Sequence, residues 1–148
     1  MSTDLTVYAF DRVNCVIAGV PISGFWDGDD CVKINRAEDA VNTLVGADGN
    51  ALASVTTNES AIVEFKLMPT SLSHALLRGL ELKFRKSLTA TPFPLVVTDF
   101  STLAVHTSSS AIVLNRPNDT QYGVNASVRT WRIFCARLVE GSIGQIPA

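Results

Sequence analysis

The sequence predicts a mainly β chain that carries one α-helix, over about residues 70–86, and one long extended hairpin loop, over about residues 37–58. Three observations predict it. Apolar and polar residues alternate through most of the chain, one stretch takes up a helical period, and about twenty residues between two strands hold apolar side chains with neither period. A length of 148 residues suits a single domain, 1–148, built on one core.

Residues 6–18, T-V-Y-A-F-D-R-V-N-C-V-I-A, alternate as a strand with a bend at Asp11-Arg12. Gly19, Pro21, Gly24 and Gly28 then punctuate a loop or short hairpin. From Cys31 to Arg36 the alternation returns, with Val32 and Ile34 on one face and Lys33 and Asn35 on the other. The connection that follows holds Val41, Leu44, Val45, Leu52 and Val55, and its Gly46-Ala47-Asp48-Gly49 run tolerates positive φ, so the segment doubles back as a hairpin arm. Apolar side chains on such an arm are costly to leave in water, and the arm needs a partner surface.

From Ser60 to Leu67, Ala61, Val63, Phe65 and Leu67 oppose Ile62, Glu64 and Lys66, and Pro69 ends that strand. With Thr70 or Ser71 as cap, Leu72, Ala75, Leu76, Gly79, Leu80 and Phe84 form one helical stripe, while Ser73, Arg78, Glu81 and Arg85 face away. Lys83, Arg85 and Lys86 suit the negative end of the helix dipole, and Pro92 and Pro94 prevent continuation. The remainder reads as three or four strands: Phe93 to Thr98, Leu103 to Thr107 joined to or followed by Ala111 to Asn115, and a long last strand from Val124 to Val139 after a turn at 116–123.

Hydrophobic residues make up 47% of the chain and charged residues 18%, against roughly 25% charged in an average globular domain. No window nears the ~18–20 consecutive apolar residues of a membrane span, and the start M-S-T-D-L-T lacks the order of a signal peptide, so the expectation is a soluble chain made in a cytoplasm, with no membrane insertion. Low charge in a soluble chain points to apolar surface covered by other copies or partners. Residues 1–64 hold ten acidic and three basic side chains and residues 65–148 hold four and nine. Either the two signs mix on folding or they make complementary contacts between copies. Cys15, Cys31 and Cys135 are widely spaced and read as buried, reduced thiols.

An enzyme is not expected. His74 and His106 lie in no nucleophile, metal or phosphate motif and read as surface or half-buried residues, and no cofactor is implied. Asp27, Asp29 and Asp30 in W-D-G-D-D share the spacing of part of a calcium loop but lack its other oxygen ligands, which leaves a solvated turn, with Trp26 closing the end of a β core. In V-R-T-W-R-I-F-C-A-R, Arg129 and Arg137 run in phase with Trp131 while Arg132 shares the other face with Phe134, so no single basic stripe forms for nucleic acid.

Taken in order, V-K-I-N-R-A-E-D-A-V-N-T-L-V-G-A-D-G-N-A-L-A-S, the strand E-S-A-I-V-E-F-K-L, the helix P-T-S-L-S-H-A-L-L-R-G-L and the closing T-W-R-I-F-C-A-R-L-V-E-G-S-I-G resemble the tail tube proteins of contractile-tailed bacteriophages. The likeness runs from about Tyr8 to Gly144 and is strongest around E-D-x-x-x-x-x-x-G-A-D-G. It implies an antiparallel β-barrel or sandwich with one flanking helix. It further implies a structural virion protein, assembled in the bacterial host cytoplasm, whose rings, six copies each, stack into the tube that conducts double-stranded DNA during ejection. Partners would be other copies, the tail sheath, baseplate and tail terminator proteins, and double-stranded DNA in transient, non-specific passage. In that family the long connection reaches the neighbouring ring, which makes Glu38, Asp39, Asp48 and Gly49, with Val45 and Leu52 beside the turn, the candidates for ring-to-ring contact. Lys33, Asn35, Glu64 and Lys66 fall on the polar faces of the strands placed at the lumen. The lysines depart from a uniformly acidic channel, and Lys33 or Lys66 can instead pair with Glu64 across strands or subunits. The same architecture builds the tubes of type VI secretion and pyocin-like particles. A small-ligand β-barrel of lipocalin type is a further reading, against which the apolar arm argues.

Overall fold

A computed structural model describes residues 12–28, 30–86, 92–118 and 120–142. Ten strands and one helix follow in the order β1 (Val13–Ile17), β2 (Val20–Pro21), β3 (Val32–Arg36), β4 (Val41–Val45), β5 (Ala51–Val55), β6 (Ala61–Leu67), α1 (Ser73–Lys86), β7 (Phe93–Asp99), β8 (Ala104–Asn115), β9 (Arg129–Cys135) and β10 (Val139–Ser142). Eight strands form one antiparallel sheet in the order β2-β1-β7-β8-β9-β6-β3, with β10 on β8, and β4 and β5 form a separate two-stranded sheet. The end strands β2 and β3 do not pair with each other, so the sheet is not a closed barrel but folds over its core in a sandwich-like way. Among the described residues each end strand has one neighbour, and its outer edge is left for pairing.

Strict alternation builds the core. In β6 the odd-numbered Ala61, Val63, Phe65 and Leu67 are fully buried while Ile62, Glu64 and Lys66 are half-buried, and β9 repeats this with Arg129, Trp131, Ile133 and Cys135 inward. The two strands are in register, Phe65 against Trp131 and Val63 against Ile133, so their inward rows form one wall. Cys15 and Ile17 of β1, Phe93, Leu95 and Val97 of β7, Ala111 and Val113 of β8, Leu77 of α1, and Ile22 and Leu138 complete the cluster. All three cysteines are buried and unpaired, and burial pushes the Cys15 thiol up to about 12, well away from reactivity.

Within the described residues the first strand runs over Val13–Ile17, and residues 6–11 of the expected strand lie outside them. After Ile17 the chain reverses through the two-residue turn Ala18-Gly19 into β2, the short hairpin expected there. Residues 104–115 form one continuous strand. The long last strand is instead two: β9 stops at Cys135, Ala136 donates its N–H to the Ser110 carbonyl at 3.0 Å, Leu138 turns into the core, and β10 resumes along the first half of β8. Residues 124–128, placed by periodicity in that strand, are loop.

The helix sits where expected, but its buried face is rotated. Ser71 is the cap: its Oγ accepts from the N–H of Ser73 at 3.2 Å and donates to the Ser23 carbonyl at 2.5 Å. Gly24, at φ 75°, passes so close that a Cβ there would lie 2.7 Å from Ser71 Cβ, which only glycine permits. Ser73, His74 and Leu77 are buried and Leu76 and Leu80 pack on the core, whereas Leu72, Ala75 and Gly79 are exposed. Ser73, expected to face away, accepts from the Ser23 N–H at 3.0 Å. The pivot is His74, which is buried rather than at the surface. Trp131 Nε1, which can only donate, bonds His74 Nδ1 at 2.9 Å, so Nε2 carries the proton and donates to the Met68 carbonyl at 2.8 Å. A polar pair inside the core outweighs the apolar periodicity of the helix in setting its rotation, because an unsatisfied buried imidazole or indole is more costly than an exposed Ala or Leu.

Burial, with help from Arg78 and Arg129 nearby, lowers the His74 pKa, so the folded state holds the ring neutral. Stability from this group is complete above the unfolded pKa of about 6.5 and is lost as pH falls below it toward the lowered folded value. Thermal unfolding midpoints should therefore fall by a few degrees between about pH 7.5 and 5.5, and in His74→Gln that slope should flatten. Trp131→Phe orphans His74 Nδ1 and should destabilise the fold by about 1–3 kcal/mol in denaturant titration.

Candidate functional site

The arm is a regular hairpin. Val41 faces Val55, Thr43 faces Ala53 and Val45 faces Ala51 on one side, while Asn42 with Ser54 and Leu44 with Leu52 occupy the other. All ten strand residues are exposed, Leu44 by 66%, Leu52 by 62% and Val55 by 76%. Both sides of the ribbon thus carry large aliphatic groups. A lone two-stranded ribbon is marginal in water, and each Val or Leu that becomes covered contributes about 1.5–3 kcal/mol.

Local polar bonds hold the arm in shape at its tip and its root. At the tip, the Gly46 N–H donates to the Asn50 carbonyl at 2.8 Å and Gly49 turns the chain at φ 88°. The Asp48 carboxylate accepts from the Asn50 N–H at 3.1 Å and from its Nδ2 at 2.7 Å. Glu38 Oε2 at the root accepts from Thr56 Oγ1 at 3.1 Å, and the Thr56 N–H donates to the Ala40 carbonyl at 2.9 Å. Arg36 Nη1 donates to the carbonyls of Glu59, at 3.2 Å, and Leu138, at 2.5 Å, and Arg137 pairs with Glu59 at 2.5 Å. The arm's strands are therefore rooted on the sheet and project from it. Of the six contact candidates, Glu38, Asp48 and Gly49 shape the arm, Val45 and Leu52 give it apolar surface, and Asp39 is exposed at its root.

The second group of candidates shares the outward face of β3 and β6. Lys33 stands opposite Glu64 and Asn35 opposite Ile62. The pairings differ from those weighed in the sequence: Lys66 forms its ion pair with Asp30 in the preceding loop, and Glu64 lies 3.5 Å from Arg132 Nε on β9. Arg132 is thus a member of this charged row that sequence reasoning left out, although its phase with Phe134 had put it on the same side. Lys66 also lowers the Asp30 carboxyl pKa through its hydrogen bond. The resulting face mixes both signs and is not acidic. An apolar row, Ile62 with Phe134 and Ile112, runs beside it, all half-buried.

Chemistry is sparse elsewhere. Among the described residues no cluster of three His, Cys, Asp or Glu could hold a metal ion, and no helix is long and apolar enough to cross a membrane. Asp29 lies outside the described residues; Cys31 Sγ donates to the Trp26 carbonyl at 2.6 Å.

Curated proteins give no sequence match. Solved structures share the fold at low identity. A cap structure of the anti-feeding prophage, the AFP tube-terminating cap, superposes with a TM-score of 0.61 at 9% identity over 96% of this chain and 95% of that one. Two structures of an extracellular contractile injection system follow, each at TM-score 0.59 and 10% identity. One is the PVC sheath-tube complex in the extended state, over 92% of both chains, and the other the PVC sheath/tube terminator, over 95% of this chain and 100% of that one. The family model of the bacteriophage PhiTE tail tube protein matches residues 5–141, which takes in the arm, the helix and all ten strands up to Gly141, and the chain belongs to that tail tube family.

Proposed function

We propose that the chain is the repeating subunit of a phage tail tube, a non-enzymatic structural part that forms rings, six copies to a ring, stacked through the arm into a conduit for double-stranded DNA. The observation that carries this reading is the hairpin β4–β5, hydrogen-bonded at both ends yet exposed on both faces, with Val41, Leu44, Val45, Leu52 and Val55 uncovered by the other described residues. A surface of that kind is stable only when another molecule buries it. The free edges of β2 and β3 support lateral pairing of strands between copies around a ring. One domain spans the chain in this reading, and it needs no cofactor.

The charged row suits the lumen. Duplex DNA carries one charge per about 1.7 Å, so a wall of free lysines would hold it by its phosphates. Lys66 is neutralised by Asp30 and Arg132 by Glu64, which leaves Lys33 opposite Glu64 as the more available cation. Tail sheath, baseplate and tail terminator proteins would be the further partners of such a tube within the virion, and assembly would take place in the host cytoplasm. The fold shared with structures from the anti-feeding prophage and the PVC injection system supports a second setting, the tube of an injection particle that carries no DNA.

Two measurements test the reading. Electron microscopy of the purified protein should show rings or tubes, and a monodisperse monomer at high concentration, even on baseplate-like initiators, would sink it. Deletion of residues 45–52 should leave a folded chain, judged by circular dichroism, that no longer stacks; long tubes from the deleted protein would show that the arm is not the stacking element.

A further inference from the structure

A cleft at the opposite end of the sheet from the arm is lined in part by Arg78, Glu81, Arg116, Tyr122, Arg129 and Trp131. The pairing registers fix both locations. The arm leaves β3 after Arg36 and returns at Ala61, which stands opposite Cys135, the last residue of β9. Arg129 opens β9 opposite Leu67, at the other end of β6. The six steps along β9 between these ends span about 20 Å.

Among the described residues, the cleft holds more positive charge than its neighbours answer. Glu81, the one carboxylate among its described lining residues, already accepts from Arg85 Nη2 at 2.5 Å and lies 4.0 Å from Arg116 Nε. Arg129 is only 7% exposed, and its partners are neutral: Ser127 Oγ at 2.5 Å, the Ser127 carbonyl at 3.1 Å and the Gln121 carbonyl at 3.4 Å. The Tyr122 ring centre lies 5.3 Å from its guanidinium. Among the described residues no carboxylate stands within ion-pair distance of Arg78 or Arg129. A desolvated guanidinium held by neutral acceptors favours an incoming anion. Leu82, 49% exposed, and Tyr122, 90% exposed, add an apolar flank.

The arm has the complementary chemistry. Residues 37–58 contain Glu38, Asp39 and Asp48 but no Lys or Arg. At the tip, the Asp48 carboxylate stands beside the exposed Leu44, Val45 and Leu52. We infer that the arm tip of a second copy seats in this cleft, with Asp48 facing Arg78, Arg116 and Arg129, and Leu44 and Leu52 against Leu82 and Tyr122. The inference rests on the arm being a contact between copies and adds the receiving site. Arm and cleft lie at opposite strand ends, so the contact is head-to-tail and repeats along the strand direction.

Cross-linking tests the pairing. Ala47→Cys at the tip and Thr120→Cys at the cleft are placed in separate full-length chains, which are assembled together under mild oxidation; the native Cys15, Cys31 and Cys135 are buried. The expected result is a disulfide-linked dimer between the two variants in about tenfold excess over dimers of either variant alone, and a drop in its yield of about tenfold when the Thr120→Cys chain also carries Arg78→Glu and Arg116→Glu. Arg78 and Arg116 are exposed, so their reversal leaves the fold intact. Tubes of normal length without the mixed dimer, or with a yield indifferent to the arginine reversals, would overturn the cleft assignment and leave the arm reading standing. If Arg78→Glu and Arg116→Glu no more impair cross-linking than Lys83→Glu and Lys86→Glu on the last helical turn, a general charge effect replaces the cleft. Failure of the unmodified chain to polymerise overturns the arm reading itself.

Discussion

The hydrogen bond from the Trp131 indole to His74 is the interaction on which the placement of the helix depends. The indole sits in the inward row of β9, fully buried between Arg129 and Ile133, and its N–H has to find an acceptor without water. His74 supplies it and donates its own Nε2–H to the Met68 carbonyl, at the point where β6 ends. Two bonds join three segments: the inner strand β9, the helix over the core and the connection between β6 and that helix. The approach of Gly24 to Ser71 then fastens the β2–β3 loop to the start of the helix.

With the helix committed to the core, nothing in the described chain remains to cover the arm. The chain divides its apolar residues into two populations. One is hidden by the sheet and by α1; the other, displayed on β4 and β5, adds to residues exposed singly elsewhere, such as Leu72, Phe100 and Val124. The displayed set is presented by a well-formed turn and a hydrogen-bonded root, so it is held in place while it stays exposed. A disordered loop of the same composition would lose more entropy on being buried.

Periodicity made the strands legible wherever one face was buried. In β6 and β9 the alternation is strict and the residues were sorted onto two faces from phase, and the structure shows which face turns inward, since a one-residue slip would put Trp131 in water. The arm was legible as a hairpin through Gly46 to Gly49, but its strands were not, since both faces are exposed and neither needs a contrast in polarity. The helix rotation was misread because apolar spacing counts Leu72 and Ala75, whereas His74 and Ser73 are drawn inward by partners, Trp131 and Ser23, that lie far away in sequence. The break after Cys135 was invisible for a similar reason: it depends on which half of β8 each segment meets. Lys33, Asn35, Glu64 and Lys66 were placed on one face from phase alone, but their charge partners, Asp30 and Arg132, needed the fold.

The arm leaves one end of the strands only, at Arg36 and Ala61. A subunit that binds through such a feature has a donor end and an acceptor end, and addition of one copy recreates the site just consumed. Growth of this kind has direction but no stopping point. Nothing in the repeat itself counts copies, so the length of the resulting filament has to be imposed from outside, by whatever starts it at one end and whatever blocks the last open site at the other.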